Sequence, residues 1–284
     1  MERRLKILVT GASGQLGREL VQLTAPADVE IVGFGRDRLD ITNLDNCRSV
    51  LAEQRPDAII HCAAYTAVDQ AESEPDAAFR VNASGSRNLA VAAEEIGARL
   101  CYVSTDYVFD GKGKTPYNEY DAPNPQTVYG KSKLAGEELV RTLSSRYFIV
   151  RTSWVYGKYG SNFVRTMLKL AGERDSLKVV SDQVGSPTYT LDLAEFLVRL
   201  VRTERYGVYH ASNTGTCSWY EFAQAIFEES GRHMTVEPCS TSDFPRPAPR
   251  PAYSVMDHSA IRSNGFEPLR HWRGALRHYL QDSE

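Results

Sequence analysis

Leu5-Lys6-Ile7-Leu8-Val9-Thr10 runs directly into Gly11-Ala12-Ser13-Gly14-Gln15-Leu16-Gly17-Arg18-Glu19-Leu20. The first six residues read as a short buried strand. Glycines then recur at every third position. A tight turn, bare backbone facing a pyrophosphate at a helix N-terminus, and close helix-on-sheet packing all favour a missing side chain there. Leu16, Leu20 and Leu23 give the following helix one apolar face. The combination predicts a dinucleotide-binding turn, although evenly spaced glycines also occur in plain turns.

Working outward, Val29–Phe34 reads as the second strand and ends in Gly35-Arg36 without an acidic residue. An arginine at this strand tip suits a 2′-phosphate, where Asp or Glu would hold a free 2′-hydroxyl. This favours NADPH, leaves NADH open, and competes with Arg36 as a solvated surface charge. Asp40 beside Ile41 suits an adenine amino group with the isoleucine over the ring; alternatively Asp40 or Thr42 caps a helix over Leu44–Glu53. Pro56–Ala64 is a further apolar strand ending in small residues, which lets a flat cofactor pass over the sheet. After a helical stretch reaching Ala90, the strand Leu100–Thr105 delivers Thr105, Asp106 and Tyr107 to its carboxyl edge. Alternating strands and helices predict an α/β, Rossmann-type doubly wound parallel sheet.

Thr127-Val128-Tyr129-Gly130-Lys131-Ser132-Lys133 follows the breakers Pro123 and Pro125. In a helix, Tyr129 and Lys133 project from one face. An ordinary tyrosine titrates near ~10, and a neighbouring ammonium lowers that value, making the phenol a usable general acid. The competing reading is a plain surface pair. Gly130, Ser132, Ala135 and Gly136 leave room for something to lie close against this helix.

The 284 residues suffice for one large domain or two, and 42% hydrophobic with 24% charged residues is ordinary globular composition. A net charge of -3 argues against a nucleic-acid surface. The five cysteines are scattered and odd in number, which fits a reducing cytoplasm. The apolar run before Gly11 is too short for a secretory signal, and no window approaches a membrane span. Cytoplasmic localisation is expected. The six histidines show no metal-ligand spacing, so no metal site is expected.

Three features in order, the glycine-rich turn, Thr105 at a strand end and Tyr129-x-x-x-Lys133, resemble the extended short-chain dehydrogenase/reductase superfamily. Leu39-Asp40-Ile41-Thr42, Ala63-Ala64-Tyr65-Thr66-Ala67-Val68-Asp69, Ser104-Thr105-Asp106-Tyr107-Val108-Phe109-Asp110-Gly111 and Arg151-Thr152-Ser153-Trp154-Val155-Tyr156-Gly157 narrow this further. With Val180–Thr188 and Arg250-Pro251-Ala252, they look like the dTDP-4-dehydrorhamnose reductase family, and the similarity spans nearly the whole chain.

The resemblance implies reduction of the C4 carbonyl of a dTDP-4-dehydro sugar by NADPH, with Tyr129 as proton donor, Lys133 lowering its pKa and Thr105 holding the carbonyl oxygen. It places Gly11, Ser13, Gly14, Gln15 and Leu16 at the pyrophosphate. Arg36, Asp40, Ile41, Ala63, Ala64 and Tyr65 fall on the adenosine side, with Tyr129 and Lys133 also at the cofactor. Val68, Asp69, Thr105, Asp106, Tyr107, Trp154, Asn162 and Gln183 are the implied substrate residues. It further implies a homodimer and a smaller C-terminal substrate-binding domain. We expect residues 1–178 to form the NADP(H)-binding domain and 179–284 mainly the substrate domain, with a helix near 191–203 returning to the first.

Alternatives are a reductase of another nucleotide-linked 4-keto-6-deoxy sugar, or a binding protein resembling the regulatory subunit of methionine adenosyltransferase. An epimerase or dehydratase is disfavoured, because Thr105-Asp106-Tyr107 lacks the Asp-Glu that dehydratases carry after the corresponding threonine. Ile149–Trp154 reads as the sixth strand, with Trp154 either against a deoxysugar ring or in the core. Asn162 opens a helix to about Gly172, and Gln183 lies in an irregular loop. Ser218 and Glu221 have capping-box spacing. Phe244–Pro251 is proline-rich and reads either as an SH3 ligand or as an extended cleft wall with an arginine near a diphosphate.

Overall fold

The computed structural model describes residues 4–282. Its first half alternates β1 (Leu5–Thr10), α1 (Gln15–Gln22), β2 (Val29–Phe34), α2 (Leu44–Gln54) and β3 (Ala58–His61). Short helices α3 (Val68–Ala71) and α4 (Pro75–Phe79) lead through a π-helical turn, Arg80–Gly85, into α5 (Ser86–Ile96). Then come β4 (Arg99–Thr105), α6 (Val128–Leu143) and β5 (Tyr147–Thr152). The second half holds β6 (Val155–Tyr156), α7 (Phe163–Leu170), β7 (Ser176–Val180), β8 (Val184–Gly185), β9 (Thr188–Tyr189) and α8 (Thr190–Val201). It continues with β10 (Gly207–His210), β11 (Cys217–Ser218), α9 (Trp219–Glu229), β12 (Thr235–Cys239), α10 (Ser259–Ser263) and α11 (Trp272–Asp282).

Six strands form one sheet in the order β10-β5-β4-β3-β1-β2, and every pairing in it is parallel. Parallel strands need helices on both faces, so their residues are apolar in both directions. Ile7 and Val9 point to one face with Ile60 and Val150, where α1 and α8 cover them through Leu20, Leu193 and Phe196. Leu8, Ile59 and Ile149 point to the other, under Leu51, Leu89 and Val140 of α2, α5 and α6. Each such fully buried aliphatic contributes ~1.5–3 kcal/mol relative to exposure. The strand order reverses between β1 and β3, and ligands of such sheets bind at the carboxyl ends beside that reversal.

A second core gathers Tyr156, Val164, Met167, Tyr189, Phe222, Trp272 and Tyr279. It starts well before residue 178, because the chain leaves the main sheet after Thr152, and the later β10 pairs with β5 at the sheet edge. The two cores are therefore interleaved in sequence, with α8 packed on the first. The stretch expected as the sixth strand, Ile149–Trp154, falls on β5, which spans Tyr147–Thr152 and is the fifth strand in chain order, and β10 completes the six-stranded sheet.

Local capping departs from expectation at α2. Asn43 is the cap, accepting from the Asn46 amide at 3.0 Å, while Asp40 accepts from Thr42 N and Oγ1 at 3.0 and 2.7 Å. The α9 capping box of Ser218 and Glu221 is present. Thr127 caps α6 by accepting from Gly130 N at 2.9 Å. What lies close against α6 is the chain's own backbone: a Cβ at Gly130 would sit 2.2 Å from the Tyr107 carbonyl oxygen. Among the described residues no helix is long and apolar enough to cross a membrane.

Candidate active site

A cleft of about 890 Å³ opens at the carboxyl ends of the strands, between the glycine-rich turn and the start of α6. Its floor follows from the sequence of the turn. Gly11 adopts a left-handed φ of 64°, and a Cβ at Gly17 would lie 2.2 Å from the Gly11 carbonyl oxygen. The first turn of α1 is thereby pressed onto the strand end, at the edge of the cleft. Ser13, Gly14, Gln15 and Leu16 line it here, as do Arg36, Asp40 and Ile41 beyond the tip of β2. Arg38 instead stacks on Phe34 at 4.2 Å. The Asp40 carboxyl is held below its ordinary value, chiefly by the Thr42 hydroxyl.

Ala63, Ala64 and Tyr65 continue the wall from the end of β3. Asn82, which carried no recognisable signal in the sequence, fixes this loop. Its side chain accepts from Tyr65 N at 2.8 Å and donates to Tyr65 O at 3.0 Å. The same amide nitrogen donates to Ser132 Oγ at 2.9 Å, and Ser132 donates to the Tyr129 carbonyl at 2.8 Å. The π-helical turn at Arg80–Gly85 presents Asn82 to both elements. His61 lies beneath the loop between Thr10 and Ser86, at 2.8 and 3.1 Å, and burial pushes it down to about 3, so it is a neutral structural group.

Thr105, Tyr129 and Lys133 meet at the other end of the cleft. Thr105 accepts from Tyr107 N at 3.2 Å and donates to Asp106 Oδ1 at 2.9 Å. Burial pushes the Asp106 carboxyl up to about 6, against the Thr105 and Ser254 hydroxyls. Tyr129 meets the edge of Tyr107 with centroids 5.5 Å apart. Loss of solvent pushes its phenol up to about 12, with the neighbouring Thr105 hydroxyl opposing. The expected lowering by Lys133 is absent from this balance for a geometric reason: the ammonium donates to Val103 O at 2.7 Å and sits 3.9 Å over the Tyr102 ring. Burial brings Lys133 itself down to about 7, with Glu137 the main opposing charge.

Every expected cofactor residue lines the cleft, as do Val68, Thr105, Asp106, Tyr107 and Trp154. Trp154 both lines the cleft and packs on the second core. It faces the cleft from a left-handed φ of 48°, while its ring stacks on Trp219 of the second core at 3.6 Å. Such a conformation costs a bulky residue ~1–3 kcal/mol and persists only where packing over-determines it.

Three expected substrate residues do not line the cleft. Asp69 accepts from Arg250 Nη2 at 2.7 Å and from Ala248 N at 3.2 Å, so the arginine of the proline-rich segment is engaged by a carboxylate. Asn162 caps α7 and donates to Gly157 O at 2.9 Å and Gln15 Oε1 at 3.2 Å. Gln183 donates to Thr241 Oγ1 at 2.9 Å within the second half. In the structure these side chains join segments distant in the chain. Among the described residues no cluster of three or more His, Cys, Asp or Glu is arranged to hold a metal ion.

Comparison with known proteins matches residues 5–284 to the family model of the RmlD substrate binding domain. The chain is 50% identical to the spore coat polysaccharide biosynthesis protein SpsK of Bacillus subtilis, over 98% of this chain and 97% of the relative. It is 47% identical to a dTDP-4-dehydrorhamnose reductase of Streptomyces griseus, over 96% and 92% respectively. The crystal structure of a dTDP-4-dehydrorhamnose reductase from Bacillus anthracis in complex with NADP superposes with a TM-score of 0.96 at 48% identity, covering 98% of this chain and 99% of that one.

Proposed function

The chain belongs to the RmlD substrate binding domain family, and from that membership we propose that it is an NADPH-dependent reductase converting dTDP-4-dehydro-L-rhamnose to dTDP-L-rhamnose. The observation that carries this reading is the convergence of Thr105, Tyr129 and Lys133 at one end of a cleft whose other end is the glycine-rich turn. The residues fit the dinucleotide. The turn is a cradle that side chains would fill, the first turn of α1 lines it, and Arg36 lines the cleft where a 2′-phosphate would lie.

When bound, the reduced nicotinamide supplies the hydride for the sugar's C4. Tyr129 gives its proton to the C4 oxygen as negative charge develops there. Held near 12, the phenol is fully protonated at neutral pH, so the acid is always loaded. Thr105 stands beside the phenol to hold the C4 oxygen in line, and Asp106 in turn holds Thr105. Lys133 contributes a positive charge beside the resulting phenolate and a donor toward the cofactor ribose. Val68, Asp106, Tyr107 and Trp154 form the sugar end, with residues of the second core behind Trp154. On this reading the first core binds NADP(H) and the second, interleaved from about Tyr156 onward, serves the nucleotide-sugar.

The reading extends to a homodimer and to the cytoplasm. The five free cysteines fit a reducing compartment, and light scattering of the purified chain checks the assembly. The activity is tested by steady-state consumption of NADPH and NADH with enzymatically generated dTDP-4-dehydro-L-rhamnose. Rapid consumption with a preference for NADPH supports the reading. Consumption only with a different 4-keto sugar, or none by a folded protein that binds NADPH, overturns it.

A further inference from the structure

Behind the site lies a buried charged cluster whose carboxylate and guanidinium residues are not among those lining the cleft, although Ser104 is. Glu137 sits one helical turn beyond Lys133, on the same face of α6. Its carboxylate is bound by Arg151 of β5, with Nη2 2.7 Å from Oε2 and Nε 3.0 Å from Oε1, and by Ser104 Oγ at 2.5 Å. The side chains are 1% and 0% exposed. Arg151 is itself anchored. His210 Nδ1 faces only the carbonyls of Tyr117 and Asp257, each at 3.1 Å, so it carries the hydrogen and leaves Nε2 to accept from Arg151 Nη1 at 3.4 Å.

A buried ion pair is costly to desolvate, and well-packed apolar residues often serve stability as well or better. Structural support alone therefore gives a weak reason for this cluster. Its position gives a stronger one, because Lys133 is 2% exposed and its ammonium has a carbonyl and a ring face as its immediate partners. The charged and titratable groups facing it are Tyr129 and Glu137 on α6, His61 and Cys62 at the end of β3, and Tyr102 on β4, with Arg151 behind Glu137. His61 is neutral, and burial raises the Cys62 thiol and the Tyr102 phenol, so both stay protonated. Tyr129 also keeps its proton at neutral pH. Glu137 is the anion left to balance the lysine.

We propose that Glu137, aligned by Arg151 and Ser104, is a positioning residue that keeps Lys133 charged in its buried seat. The inference rests on the reading of Lys133 as part of the reductase site. Its two partners act in opposite senses. Removing Glu137 deprives the ammonium of its counter-charge and exposes it to Arg151, whereas removing Arg151 leaves the carboxylate to Lys133.

The test is the titration of Lys133 in protein labelled with ¹³C at lysine Cε, followed by NMR and assigned with Lys133→Met, beside the pH profile of kcat/KM. In Glu137→Gln, Lys133 titrates about one pH unit lower or more, and the high-pH limb of the profile moves down with it. In Arg151→Met it titrates above the parent. A purely structural pair would move both variants the same way or neither. Unchanged titration in folded Glu137→Gln, or a downward shift in both variants, overturns the proposal. Should either single variant fail to fold, Glu137→Gln/Arg151→Met replaces it. Lys133 then titrates below the parent because Glu137, one turn along the same helix face, is the charge of the pair that acts on it, and an unchanged value overturns the proposal. The NMR readout needs no turnover, so failure of the reductase reading, seen as an inactive parent enzyme, is distinguishable from failure of the coupling.

Discussion

Arg250 and Asp69, far apart in sequence, meet through a guanidinium-carboxylate contact of 2.7 Å that ties the proline-rich segment to α3. Arg250 lowers the Asp69 carboxyl below its ordinary value. A depressed carboxylate contributes stability that is present above the unfolded value and lost as pH falls through the folded one. Arg250→Ala should therefore cost at most about 1 kcal/mol near neutral pH, and the gap from the parent should close in acid. Urea midpoints across pH measure this. A gap that widens in acid would contradict the assignment.

Tyr129→Phe and Lys133→Met should each lower kcat by roughly a hundredfold or more, the scale of positioned proton transfer. Both should keep the parent's circular dichroism. A Tyr129→Phe enzyme within a few-fold of the parent would move the proton donor elsewhere.

Arg36→Ala should lose the preference for NADPH over NADH. Charge-assisted hydrogen bonds are worth ~1.5–3 kcal/mol, or roughly tenfold or more in the ratio of the two kcat/KM values. A preserved ratio would return Arg36 to the role of surface charge.

Asp106 carries the opposite pH signature to Asp69. Burial raises it from an ordinary 3.8 to about 6, so the folded protein holds this proton more tightly than the unfolded chain. Its contribution is complete below the unfolded value and lost as pH rises through about 6. Asp106→Asn, which has no such proton, should gain stability relative to the parent between pH about 4 and 6 and then run level. Parallel stability profiles would count against the buried carboxyl.

The alternation of strands and helices and the glycine-rich turn were legible because they are local. A strand, glycines at every third position and an apolar helical face are written in adjacent residues, and Tyr129 and Lys133 needed only helical spacing to share a face. Contacts between distant segments carried no such spacing. The stack of Trp154 on Trp219, the bridge from Asn162 to Gln15 and the engagement of Arg250 by Asp69 depend on the second core interleaving with the first. Asn82 was hidden differently, since helical periodicity does not foresee a π-turn. The expected lowering of the Tyr129 pKa by Lys133 considered charge without burial, and burial is the larger effect at this site.

The most direct measurement is a single turnover with NADPH deuterated at the nicotinamide C4 on the transferred face and dTDP-4-dehydro-L-rhamnose, the product being read by NMR. The account predicts deuterium at C4 of dTDP-L-rhamnose, formed at full rate by the parent and slowed at least roughly a hundredfold by Tyr129→Phe. Unlabelled product, the epimeric sugar at C4, or no reaction from a folded enzyme that binds NADPH would contradict it.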